Sequence, residues 1–275
     1  MPGPVVRWTE NRSRGVPLFQ WREIWAAREL IGFFGLRDLQ VRYKQAVIGV
    51  VWVILQPLIT VAAFTLAFQR VAKVDTFGVP YPVFALAGLL GWQYISQCIS
   101  RGSEVLVANP ALVTKVYFPR LVAPIASTLP SLVDLGVGLA LLLVLCLFYS
   151  VAPSIALLLL PAWLLLLLLT AIGPVLLLAA VNVRYRDVRY VVPPLLQAML
   201  FLSPVGYSSA GLQGSSKMLY ALNPAVGPLE FGRFVLVAGP WPGWQLAVSV
   251  GSALLVAVVG LVYFQFAQRS FADYI

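Results

Sequence analysis

Residues 36–58 read LRDLQVRYKQAVIGVVWVILQPL, and they pass from a charged helical pattern into an apolar run with no linker between. Leu36, Leu39 and Tyr43 share one helical face, while Asp38, Arg42 and Gln45 share another. Asp38 and Arg42 form an i,i+4 pair of opposite sign. The pattern predicts a helix along a membrane surface, with Arg37, Arg42 and Lys44 toward water and phosphate. The chain then turns into the bilayer near Gly49. A plainer reading of the same residues is a basic flank that only orients the first span.

Composition agrees with a membrane setting. Sixty per cent of residues are hydrophobic, 11% are charged and the mean hydropathy is +0.89. Soluble domains carry roughly 25% charged residues. Several apolar runs reach the ~18–20 residues that cross a bilayer. The expected fold class is therefore an all-α polytopic membrane protein. It has six transmembrane helices, an N-terminal amphipathic interfacial helix and re-entrant helices before the last span. There is no His, and Cys98 and Cys146 lie far apart in apolar runs. Neither a disulfide framework nor a metal cluster is expected.

Along the chain, residues 1–20 read as a cytoplasmic tail without the apolar core of a secretory signal. Residues 21–45 read as interfacial helix, loosened at Gly32 and Gly35 into two pieces. Residues 46–275 form one transmembrane domain. Its spans are expected at about 46–68, 83–100, 121–149, 154–181, 191–208 and 244–266. Pro57 predicts a kink in the first span and Gly173-Pro174 a bend in the fourth, while Pro193 and Pro194 are placed at the head of the fifth. The loop 101–120 opens with a short helix that Ser103 can cap, is broken at Asn109-Pro110, and is long enough to meet a partner. Asp134 is the one acid well inside a span. It either faces a lumen or packs protonated or hydrogen-bonded. The loop 182–190 holds Arg184, Arg186, Asp187 and Arg189, which anchor the cytoplasmic side and are concentrated enough to dock a protein. The apolar pieces of 209–242 are too short to span and fit re-entrant or interfacial helices, with Glu230 and Arg233 paired at i,i+3.

The charges set an orientation. Fifteen of the 19 Lys and Arg fall before span one, in the loops after spans two and four, and in the tail. Four fall on the opposite side: Arg70, Lys73, Lys217 and Arg233. This asymmetry puts both termini in the cytoplasm and accounts for the net charge of +9 without nucleic acid. The sequence shows no GxxxxGK[ST] loop, no His for a triad and no pair of intramembrane acids. With Asp134 alone, a proton-driven carrier is disfavoured, and a permease driven by a separate ATPase is the expectation. Of the 34 aromatic residues, Trp52, Phe64, Phe68, Trp92 and Tyr94 are candidates to line a channel for sugar rings. Aromatics at span ends also form interfacial belts in membrane proteins of every function.

Several segments, in order and over nearly the whole chain, match one pattern: RDLQVRYKQAVIGVVWVILQPL (37–58), GVPYPVFALAGLLGWQYIS (78–96), NPALVTKVYFPR (109–120), NVRYRDVRYVVPPLLQ (182–197), SPVGYS (203–208) and LNPAVGPLEFGR (222–233). The chain resembles the membrane subunit of type-2 ATP-binding-cassette exporters, in the branch that exports lipid-linked polysaccharide, O-antigen and teichoic acid. The resemblance implies a homodimer in the bacterial inner membrane with two ATPase subunits below it. ATP and Mg would sit on those partners and no cofactor on this chain. The cargo implied is an undecaprenyl-diphosphate-linked glycan. Residues 21–44 are then similar to a cytoplasmic gate helix, with Arg37, Arg42 and Lys44 as head-group contacts. Residues 103–112 look like a coupling helix, giving Ser103, Glu104 and Asn109 an ATPase-coupling role alongside Arg184, Arg186 and Asp187. Residues 209–237 look like a periplasmic gate containing Asn223, Glu230 and Arg233. Competing readings are a permease for another lipid, a drug or haem, or an intramembrane enzyme acting on lipid-linked sugars.

Overall fold

The protein, seen as a computed structural model, is described at residues 25, 27–44, 47–71, 74–109, 119–152, 154–212 and 214–274. The expected tail 1–20 and the loop 110–118 lie outside the described residues. Everything regular among the described residues is helical. In chain order the helices are α1 (Arg28–Lys44), α2 (Val47–Phe64), α3 (Tyr81–Ala108), α4 (Val122–Ala126), α5 (Leu129–Phe148), α6 (Leu160–Arg184), α7 (Val188–Phe201), α8 (Gly214–Ala221), α9 (Val226–Val237), α10 (Trp244–Ala267) and α11 (Phe271–Tyr274).

Four stretches are long and apolar enough to cross a membrane: Tyr81–Ala108, Val122–Phe148, Ile155–Arg184 and Trp244–Ser270. Ile54–Phe68 and Val188–Phe201 are apolar but shorter. The chain is a multi-pass, all-helical membrane protein, and among the described residues four rather than six of the expected spans have spanning length.

The sequence expectations shift at five places. Gly32 and Gly35 do not divide the N-terminal helix, because α1 runs through both. Gly35 instead gives α1 a close seat on α5, where an added Cβ would lie 2.7 Å from Leu129 Cδ1. Past Pro57 the helix α2 continues to Phe64 and then widens into a π-helical stretch, Thr65–Val71. The second span does not stop at 100, since α3 carries on to Ala108. Ser103 therefore caps nothing, and its hydroxyl donates to the Ser100 carbonyl one turn back at 2.8 Å. The third span is broken at Ser127–Thr128, whose hydroxyls donate to the carbonyls of Pro124 and Ile125 at 2.7 Å. Pro130 then sits in the first turn of α5, where a missing N–H costs nothing. Finally, α7 begins at Val188, so Pro193 and Pro194 lie inside it rather than at its head. It has 14 residues and is followed by non-helical chain.

The core is built on α3, which is buried along most of its length against α5, α6 and α9. Trp163 of α6 is fully buried beneath α9 and donates its indole N–H to the Pro228 carbonyl at 2.9 Å. The most extensive pairing is α6 with α10. Gly173 and Gly260 meet there backbone to backbone, and a Cβ on Gly173 would lie 2.6 Å from the Ala257 nitrogen. In lipid, where no hydrophobic effect drives helices together, small residues allow this close van der Waals contact.

Replacing Gly260 by leucine drives a side chain into the Gly173 carbonyl. It is expected to cost at least the upper end of the about 1–3 kcal/mol of over-packing. Gly251 on the same helix has nothing within 4 Å of an added Cβ, so Gly251→Leu is expected to be near neutral. Thermal unfolding of the two variants in detergent checks both outcomes.

Candidate functional site

Two polar constellations lie at opposite ends of α3. At its C-terminal end, Arg101 and Asp134 form an ion pair at 3.3 Å between α3 and α5. Arg101 also donates to the Gln97 side chain at 3.2 Å. The Asp134 carboxylate is largely buried and paired to this cation. Asn182 of α6 is buried and donates to the Ser103 carbonyl at 2.8 Å, which locks the ends of α3 and α6 together. Ser103 itself is buried, whereas Glu104 beside it is exposed.

Arg37 brings α1 to this end. Its guanidinium pairs with Asp38 at 3.0 Å and donates to Asn109 Oδ1, at the end of α3, at 3.3 Å. A residue expected in the gate helix thus touches one expected in the coupling loop. Between these elements lies an open cavity of about 340 Å³ lined by Asp38, Arg101, Glu104, Asn109, Ser127 and Pro130 among others. Two carboxylates, a guanidinium and an amide make it a place for a hydroxyl-rich or charged group. The side chains of Arg42, Lys44 and Trp52 lie outside the described residues.

On the same end, Arg184, Arg186, Asp187 and Arg189 are exposed around the start of α7. Arg184 lies over the rings of Tyr185 and Tyr274, at 5.3 and 5.9 Å. Arg186 donates to the Tyr274 carbonyl at 3.4 Å.

At the N-terminal end of α3, Arg233 of α9 is only 1% exposed and Glu230 only 5%. They pair at 3.3 Å. Arg233 also donates to the carbonyls of Pro204 and Val205, the latter at 2.7 Å, and its guanidinium lies 4.1 Å from the centroid of the Phe84 ring. Glu230 accepts from the Ser209 amide at 2.7 Å and the Ser208 hydroxyl at 3.2 Å. Asn223 donates to the Ser203 hydroxyl at 3.0 Å and accepts from the Ala225 amide at 3.0 Å. The three residues expected in an outer gate thus all hold segment 202–209 or the turn before α9. Gly88 is what admits Arg233, since a Cβ there would lie 2.6 Å from Nη2.

The aromatic candidates divide. Trp92 and Tyr94 belong to the core, 6% and 2% exposed, and not to an open face of the chain. Phe64 and Phe68 stack edge-on at 5.4 Å, and both rings meet Gly206. Tyr207 continues the row toward Tyr220, whose hydroxyl donates to it at 2.9 Å. Among the described residues no group of three or more His, Cys, Asp or Glu side chains is placed to hold a metal. Arg101, Asn182 and Trp163 were missed in the sequence. Only Arg101 left a signal: it stands at the end of the span before the one that carries the lone acid, four residues after Gln97.

A family model described as ABC-2 type transporter matches residues 29–237, from α1 to the end of α9. The chain belongs to the ABC-2 type transporter family. It is a membrane transport component rather than an enzyme, and membership implies association with an ATP-binding-cassette ATPase. It is 31% identical to the O-antigen export system permease protein RfbA of Myxococcus xanthus over 208 residues, 74% of this chain and 79% of that protein. Two proteins of the same name from Klebsiella pneumoniae are 24% and 23% identical over 245 residues, 86% of this chain and 91% of each relative.

In this ABC-2 chain the Arg233–Glu230 pair is the deeper of the two ionic sites. Arg233→Met leaves Glu230 buried without its cation and is expected to destabilise the protein by about 3–5 kcal/mol. The double variant Arg233→Met/Glu230→Gln is expected to recover part of that loss. Detergent unfolding curves of single and double variants measure the coupling.

Proposed function

We propose that this chain is the permease subunit of an ATP-driven exporter that carries a lipid-linked polysaccharide, an O-antigen or similar glycan, from the cytoplasmic to the outer face of the inner membrane. The observation that carries the reading is the alignment with O-antigen export permeases over most of both chains, joined to the family match. In this reading two copies form the pathway and two ABC ATPases, holding ATP and Mg, bind the basic end. The fifteen-to-four partition of Lys and Arg supports a cytoplasmic position for that end and for both termini.

Six crossings follow if α2 with its π-helical extension, and α7 with segment 202–208, complete the count. Non-helical backbone at that depth is tolerated where protein satisfies it, and Arg233 serves the carbonyls of Pro204 and Val205. Segment 209–242 then forms the outer gate, with Asn223, Glu230 and Arg233 holding its shape. On the cytoplasmic side α1 receives the head group of the undecaprenyl diphosphate carrier, Arg37, Arg42 and Lys44 supplying cations to the diphosphate. The cavity beside Asp38, Arg101 and Glu104 suits the hydroxyls of the first sugars. Phe64 and Phe68 face the glycan path, while Asp134 tunes it through Arg101. Glu104, Asn109, Arg184, Arg186 and Asp187 contact the ATPase, and Ser103 supports them from within.

The test is reconstitution with an ABC ATPase from the same cell. The pair is expected to co-purify and hydrolyse ATP, and to flip a lipid-linked glycan across proteoliposomes. Glu104→Ala and Arg186→Ala are expected to lower turnover about fivefold each, the equivalent of about 1 kcal/mol of interface. A chain that never retains an ATPase would refute the exporter reading.

A further inference from the structure

Three arginines from two separate connections converge on the C-terminal turn, Gln268 to Tyr274. Arg120, just before α4, donates to the Gln268 carbonyl and lies 5.9 Å over the Phe271 ring. Arg184, at the end of α6, lies over Tyr274, and Arg186 donates to the Tyr274 carbonyl. Phe271 is the anchor. It is buried to 1% exposure and packs edge-on to Phe264 at 5.5 Å. Its cluster includes Leu106 of α3, Leu121, and Leu176 and Val183 of α6. The turn is therefore bound to the ends of three helices at once, and the family match, which stops at residue 237, assigns it nothing.

Outside the anchor the face is wet and basic. Arg184, Arg186, Arg189 and Arg269 are exposed, and Tyr274 is exposed beside Arg184 and Arg186. Segments 182–190 and 267–275 carry these four arginines against two acids, Asp187 and Asp273. Arginine and tyrosine are the side chains that most often dominate binding energy at protein interfaces. A guanidinium held by a backbone carbonyl and a ring loses less freedom on binding than one swinging in water.

We propose that the C-terminal turn is an integral part of the ATPase-binding surface. Anchored by Phe271, it holds Arg184 and Arg186 in place and offers Tyr274 beside them to an acidic patch on the ATPase. The inference rests on the exporter reading above and adds a third segment to the two loops that reading uses. Arg184 and Arg186 are contact residues, while Phe271 and Arg120 position them.

The experiment measures affinity of the purified full-length chain for its ABC ATPase in detergent or nanodiscs. The variants are Tyr274→Ala, Arg186→Ala, their double and Phe271→Ala, each with an unfolding temperature taken alongside. Tyr274→Ala is expected to unfold like the parent and bind about tenfold more weakly, the loss that one hydrogen bond or ring contact to a charged group brings. The double variant is expected to lose less than the product of the single losses, because the two groups act as a unit. Phe271→Ala is expected to weaken binding with Arg184 and Arg186 both intact. Should it fail to fold, Tyr274→Ala and the double still decide. Parent-like affinity of Tyr274→Ala and strict additivity in the double would overturn the inference while leaving the exporter reading in place. A parent chain that binds no ATPase would instead remove the reading on which it rests.

Discussion

One guanidinium organises the half of this protein where its backbone is least regular. Between α7 and α8 the chain gives up helical hydrogen bonding inside an apolar bundle, so its carbonyls need donors that lipid does not supply. Arg233 provides them to Pro204 and Val205. Its charge is answered by Glu230, whose second oxygen holds the start of the next segment through the Ser209 amide. A buried pair of this kind is a poor source of net stability, because desolvation offsets most of the attraction. Its contribution here is placement: α9, α3 and segment 202–209 are set relative to one another by directional bonds. The close seat depends on Gly88 lacking a side chain, and α9 closes after Val237 with Ala238 left-handed and the Gly239 amide turned back to the Arg233 carbonyl at 3.1 Å.

The opposite end of the bundle is solved differently. There the polar side chains are matched across helices. Arg101 meets Asp134, and Asn182 meets the Ser103 carbonyl. These pairs let α3 run on past the membrane-like part of its sequence to Ala108. Of the exposed groups beyond them, Glu104 stands on α3, Arg184 and Arg189 on the facing ends of α6 and α7, and Arg186 in the short turn between those two. The same helix, α3, meets the Arg233 network at its other end through Phe84 and Gly88. The Arg37–Asn109 contact ties α1 to the C-terminal end of α3.

How much of this was legible in advance depends on the kind of interaction. Spanning helices are decided by runs of apolar residues, and helices long and apolar enough to cross a membrane lie at Val122–Phe148, Ile155–Arg184 and Trp244–Ser270. The continuation of α3 was not legible, because Arg101-Gly-Ser-Glu104 reads as a polar break when its partners on α5 and α6 are unknown. The same holds for Gly32 and Gly35, which weaken a helix in isolation, yet α1 runs through both and Gly35 seats it on Leu129. The i,i+3 pairing of Glu230 with Arg233 was readable since it is local. Its burial, and its five further partners, Pro204, Val205, Ser208, Ser209 and Phe84, were not.

The sequence by itself determined that this is a multi-pass helical membrane protein with its positive charge on one side, since hydrocarbon selects for apolar length and charge distribution directly. It also carried enough ordered motif to place the chain in its transporter family. Only the tertiary structure decided which polar residues answer one another. Asp134 finds Arg101 from 33 residues away, Asn182 finds Ser103 from 79, and Arg186 finds the C-terminal turn from 88. Such contacts depend on how helices cross, and the crossings are set by packing between faces at points such as Gly173 and Gly260, which no local pattern in one segment encodes.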